Sequence, residues 1–169
     1  MPYRNRAVAL LVAVLPLAAN AHAGPTRAQV FQQGDWTAHV VYRDSPANPV
    51  RCTVGKQANG VALTFIRRLD GNAGIRVAFD PARVNNLGNF AMFVDGQFIR
   101  GPASYDEAEG RVTKDFLPWD HQITRGILKR FRNGERVTFD DAAVDLPAVS
   151  LDGTDQALAR LEDCAEWRP

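Results

Sequence analysis

Hydrophobic positions in this chain follow two rhythms, a period of two through most of its length and a helical period in two stretches near its end. Residues 35–43 set the first. Trp36, Ala38, Val40 and Tyr42 alternate with Thr37, His39, Val41 and Arg43, the pattern of a strand with one buried face. The proline-containing stretch 44–49 breaks that strand. Short strands are expected over 50–54, 61–68 and 75–79, separated by Asn59-Gly60 and by the turn 70–74, which together read as an antiparallel meander. Asp95-Gly96, between 90–94 and 97–100, is the sharpest hairpin signal, because both residues accept the positive φ angles of a type I′ turn. Further strands are expected over 111–116, 136–139 and 148–151. Residues 24–33 read as a polar lead without a strand, and 102–110 as a polar loop.

The rhythm changes over 120–132. Ile123, Ile127, Leu128 and Phe131 make one apolar side of a helix that Asn133-Gly134 stops, while Gly126 weakens its middle. A second helix, capped by Asp152 or Thr154, carries Ala157, Leu158, Leu161 and Cys164 on one face. The fold class that fits is mostly β: an antiparallel β-sandwich or partly closed barrel of about eight strands, with two helices late in the chain.

The first residues have a different character. Arg4 and Arg6 precede an uncharged run over 7–19, which ends at Ala21-His22-Ala23. That order predicts a secretion signal over 1–23, cleaved after Ala23, with a single mature domain over 24–169. The apolar run holds 13 residues, too few to span a hydrocarbon core about 30 Å thick. No cysteine stands at the cleavage site to take a lipid anchor. Removing Arg4 and Arg6 leaves 18 basic residues against 19 acidic ones, so overall charge does not direct the mature chain to nucleic acid or to a membrane. The expected location is the periplasm or beyond, with no transmembrane segment in the mature chain.

Cys52 and Cys164 are the only cysteines. In an exported chain a pair is read first as a disulfide, with two buried thiols as the alternative. The bond would join an early strand to the last helix.

Short motifs run in a recognisable order along the mature chain. Phe31-x-x-x-Asp35-Trp36-Thr37 is followed by a cysteine about fifteen residues on, a Val94-Asp95-Gly96 hairpin and Phe131-Arg132-Asn133-Gly134. Arg136-Val137-Thr138-Phe139 and Val149-Ser150-Leu151-Asp152-Gly153-Thr154-x-x-Ala157-Leu158 close the series. In that order the chain resembles the invasion-associated locus B family of exported bacterial proteins, over about 31–164. The resemblance implies a periplasmic or surface-associated β-sandwich without known catalysis. Two departures stand out: the family's further central cysteines are missing from 77–116, and its long central loops are shortened. Some members are linked to host-cell association, but no residue here can be matched to that role.

Catalytic chemistry is thinly represented. Two histidines follow the signal, His39 and His121, and neither has metal-ligand spacing around it. His39 is expected to play a hydrogen-bonded structural role. Ser45, Ser104 and Ser150 lack the surroundings of a nucleophile elbow. The acidic groups 106–109 and 140–141 lack the alternating oxygen ligands of a calcium loop. No cofactor or metal is expected. The most ordered charged feature is Arg125, Lys129, Arg132 and Arg136, spaced four, three and four apart, a candidate patch for an anionic partner. Trp119 is a candidate contact residue. These features favour a non-enzymatic binding or adaptor protein of the bacterial envelope, whose partner is an unspecified envelope or surface macromolecule. The alternatives are a small periplasmic hydrolase, its site assembled only in three dimensions, and a small-ligand carrier.

Overall fold

The computed structural model describes residues 26–43, 49–86, 90–106, 109–116, 121–140 and 142–166. The proposed signal segment, Trp119 and Trp167 lie outside them. Among the described residues the chain forms eleven strands and two α-helices. Seven strands make one antiparallel sheet in the order β1 (Thr26–Gln33), β2 (Trp36–Tyr42), β3 (Pro49–Ala58), β4 (Val61–Arg68), β5 (Ala73–Ala78), β9 (Arg111–Phe116), β8 (Ala103–Asp106). A four-stranded sheet runs β11 (Val149–Ser150), β10 (Arg136–Phe139), β6 (Met92–Val94), β7 (Gln97–Phe98). The helices are α1 (His121–Asn133) and α2 (Thr154–Glu166). The fold is therefore mostly β with two late helices, built on two open sheets rather than a closed barrel.

Two stretches expected to be irregular are strands. The polar lead becomes β1, paired with β2 along its length. Its alternation escapes the eye because the register shifts between Gln29 and Phe31, so Ala28 and Phe31 occupy positions facing Val40 and Ala38 three residues apart. The polar loop contains β8, whose Tyr105 pairs with Val112 while Ala103, Ser104 and Asp106 stay exposed. An edge strand needs little apolar content, and this one has almost none.

Turn chemistry explains both hairpins anticipated from sequence. Asn59 and Gly60 have φ of 53° and 79°, and Asp95 and Gly96 have 47° and 77°. Asp95 has a second task. Its carboxylate accepts hydrogen bonds from the backbone N–H of Glu135, at 3.0 Å, and of Arg136, at 3.1 Å, pinning the β6–β7 hairpin to the exit of α1.

One core fills the molecule. Trp36 stacks on Phe65 at 5.9 Å between centroids, and Phe65 meets Phe131 of α1 edge-on at 5.0 Å. The Trp36 indole N–H donates to the Asp152 carbonyl at 2.7 Å, immediately before α2. Helix α2 lays Ala157, Leu158 and Leu161 into this core beside β2, β3 and β4. Cys52 and Cys164 are joined as a disulfide with Cα atoms 6.1 Å apart, closing a separation of 112 residues. No described helix is long and apolar enough to cross a membrane.

A loop of that length gives a chain-entropy stabilisation of about 4–5 kcal/mol. Replacing both cysteines by alanine should lower the unfolding free energy by about 2–5 kcal/mol in urea titrations. A variant as stable as the parent would show that the packing of α2, not the bond, holds the helix. Asp95→Ala should cost about 1–3 kcal/mol in the same titration, since it leaves two backbone donors without their carboxylate.

Candidate binding site on the open sheet face

Strand alternation gives the seven-stranded sheet two chemically different sides. Inward positions such as Ala38, Val54, Leu63, Ile75 and Val112 all belong to the core. Outward positions carry polar and cationic side chains. Antiparallel neighbours share a face, so register decides which of them meet. Arg27 of β1 pairs with Val41, Val41 with Arg51, and Arg51 with Arg68, making one row across four strands. Four residues further along β3, Gly55 pairs with Thr64, Thr64 with Arg76 and Arg76 with Thr113. Arg111 stands two residues beyond Thr113, opposite Ala78. Val41 and Ile66 are buried on this side yet lie outside the core cluster, providing the kind of apolar floor along which arginine stems pack.

Arg51 is half-buried on this face, in the row it shares with Arg27 and Arg68. Its guanidinium is held below its ordinary pKa first by burial, then by the like charges of Arg76, Arg27, Arg68 and Arg111. Its Nε is buried without a hydrogen-bond partner. An unsatisfied buried donor costs about 1–3 kcal/mol. Among the described residues of this face, Asp70 pairs with Arg68 at 3.7 Å, and Glu109 pairs with Arg111. Arg76 Nε donates to Thr113 Oγ1 at 3.4 Å. Asp106 and Asp115 occupy register positions opposite Arg111 and Gly74.

A depression of about 430 Å³ on the same face is lined by Arg27, Thr37, His39, Thr53, Gly55 and Thr64, among others. Gly55 keeps its floor low: a Cβ there would stand 2.8 Å from Thr64 Oγ1 and 2.9 Å from the Leu63 carbonyl. His39 is half-buried on this face. Its pKa is lowered, first by burial and then by Arg27. Guanidinium groups, hydroxyls and a histidine N–H can all donate to oxyanions, and no base–nucleophile pair is evident among them.

No family model matches the chain, and neither curated proteins nor solved structures include a match to it.

The sequence-derived stripe lies elsewhere. Arg125, Lys129 and Arg132 are exposed on α1, and Arg136 is exposed on β10 opposite Ser150. Arg132 Nη2 is 3.2 Å from Glu162 of α2, which neutralises part of the stripe. Arg130 Nη1 donates to the Phe98 carbonyl at 3.3 Å. Arg125 helps line a separate cleft of about 380 Å³, together with Arg67, Arg68 and Glu162 and the apolar Phe65, Leu128 and Leu161. Trp119, Ser45, Glu107 and Asp141 fall outside the described residues. Ser104 is exposed at the sheet edge, and Ser150 Oγ donates to Asp152 at 2.8 Å. Asp140 caps a turn by accepting from Ala142 N at 2.9 Å. Among the described residues no group of three His, Cys, Asp or Glu side chains is placed to hold a metal.

Because the folded pKa of His39 lies below the unfolded 6.5, the unfolded chain binds the extra proton. Stability contributed at neutral pH is therefore lost as pH falls through 6.5 towards the folded value. NMR titration should place His39 below 6.5, and Arg27→Gln should move it upward. A His39 titration indifferent to Arg27 would show that the two do not share a field.

Proposed function

We propose that this chain is an exported, non-enzymatic binding or adaptor domain that receives an anionic partner on the outer face of its seven-stranded sheet. One observation carries the reading: Arg51 Nε is buried without a partner amid the field of four other arginines. A sheet built for stability alone gains nothing from that arrangement, whereas an oxyanion seated over it would satisfy the donor and screen the like charges. The signal-like first 23 residues and the disulfide support an address in the periplasm or outside the cell, in keeping with the resemblance to invasion-associated locus B proteins. No cofactor enters this reading. The cleft beside Arg125, lined by both apolar and charged side chains, favours a second reading, a carrier for a small ligand.

The test is a panel of polyanions titrated against the mature domain: polyphosphate, an oligonucleotide, a polyuronate and a sulfated glycan. At least one should bind with an affinity that falls as salt rises. Arg51→Gln with Arg76→Gln should weaken binding by at least about tenfold, the equivalent of one charge-assisted hydrogen bond. Arg125→Ser with Lys129→Ser and Arg132→Ser should leave it intact. The reverse pattern would move the site to α1, and a panel without a binder would remove the anionic reading altogether.

A further inference from the structure

The arginines of the outer face do not converge on a point. Arg27 and Arg51 share a row at one side of the sheet, Arg76 lies four residues further along and two strands over, and Arg111 lies six residues along and three strands over. With strands about 4.8 Å apart and a rise of about 3.3 Å per residue, the path from Arg27 to Arg111 is a diagonal about 30 Å long. A single phosphate or sulfate can touch only part of it. A chain bearing an acidic group at intervals can follow all of it.

From this diagonal we infer that the partner is an extended acidic polysaccharide lying obliquely across the sheet, its charged groups meeting successive arginines. The inference rests on the anionic reading of this face and narrows it to one class. What lies between the arginines decides the class. The described outward positions of β1–β5 and β9 carry no Phe, Tyr or Trp, so the stacking platform on which single-stranded nucleic acid depends is absent from them. Among the described residues the face presents no helix or projecting ribbon to enter a duplex groove. Nor does it expose the large apolar side chains that would sink into a lipid interface: Val41 and Ile66, its bulkiest apolar residues, are buried. Instead Thr37, Thr53, Thr64 and Thr113 stand beside the arginines, hydroxyls that both donate to and accept from the hydroxyls of a sugar chain.

Length is the discriminating variable. Each further charge engaged along one chain adds an intramolecular contact, so a sulfated oligosaccharide long enough to span the diagonal should bind at least about 100-fold more tightly than the sulfated disaccharide. Arg27→Gln with Arg111→Gln trims both ends of the diagonal and should weaken the long chain while leaving the disaccharide unchanged. Arg51→Gln with Arg76→Gln should weaken both. Unfolding midpoints equal to the parent's would certify each variant as folded, and a variant that fails this is replaced by Arg→Lys at the same positions, which keeps charge and loses the planar donor fork. Equal affinity for long and short glycans would overturn the inference. So would tighter binding of an oligonucleotide or of phosphatidylglycerol vesicles than of any acidic glycan, though the anionic reading would then survive. Failure of every polyanion would overturn both.

Discussion

Helix α2 is committed to one side of the large sheet, and the rest of the molecule is arranged around that commitment. The Cys52–Cys164 bond fastens its far end to β3, and the Trp36 indole fixes its entry through the Asp152 carbonyl. Between those two ties, Leu158 and Leu161 join the same core as Phe65, and Phe131 brings α1 to the same side. Two helices and a second sheet therefore spend their apolar surface on the inward face. Strand geometry then leaves the alternate side chains of β1–β5 and β9 pointing the other way, with no described element drawn from the core to meet them.

Charge is unevenly placed on that second face. Solvent-exposed faces ordinarily intersperse both signs of charge. Among the described residues Asp70 pairs with Arg68 and Glu109 with Arg111, while Arg51 has like-charged neighbours in Arg76, Arg27, Arg68 and Arg111. Burial strengthens the repulsion by lowering the local dielectric, and the same low dielectric would strengthen an oxyanion contact. Arg27 opposes the protonation of His39 as well, after burial.

Much of the fold was legible in the residues, and the site was not. Alternation in Trp36–Tyr42, the Asn59-Gly60 and Asp95-Gly96 turns, the four-residue spacing of Ile127 and Phe131 and the cysteine pair all act locally or through a covalent bond, so each leaves a mark in sequence. Strand β1 was missed because its bulge breaks the alternation, and β8 because an exposed edge needs no apolar pattern. The arginines of the outer face are single residues on separate strands, scattered from 27 to 111, and only register assembles them. The α1 stripe was visible for the opposite reason: helical spacing gathers Arg125, Lys129 and Arg132 within one short segment. The available signal was that Arg51, Arg76 and Arg111 each take an outward slot of an alternating strand, beside a threonine in two of the three, Arg51 and Arg111.

The separation of the two faces has a consequence for how such a domain can change. Residues more than about 7–10 Å apart without shared partners contribute to stability nearly independently. The outer arginines share no place in the core cluster, and the disulfide and the Trp36–Phe65–Phe131 stack lie across the sheet from them. Arg27, Arg76 and Arg111 can therefore vary without disturbing what holds the helices. Gly55 is the exception, because the floor of the depression is also backbone packed against Leu63 and Thr64, and a side chain there would press on the strand pairing itself. At that one position the proposed binding surface and the ladder that carries the sheet are the same atoms.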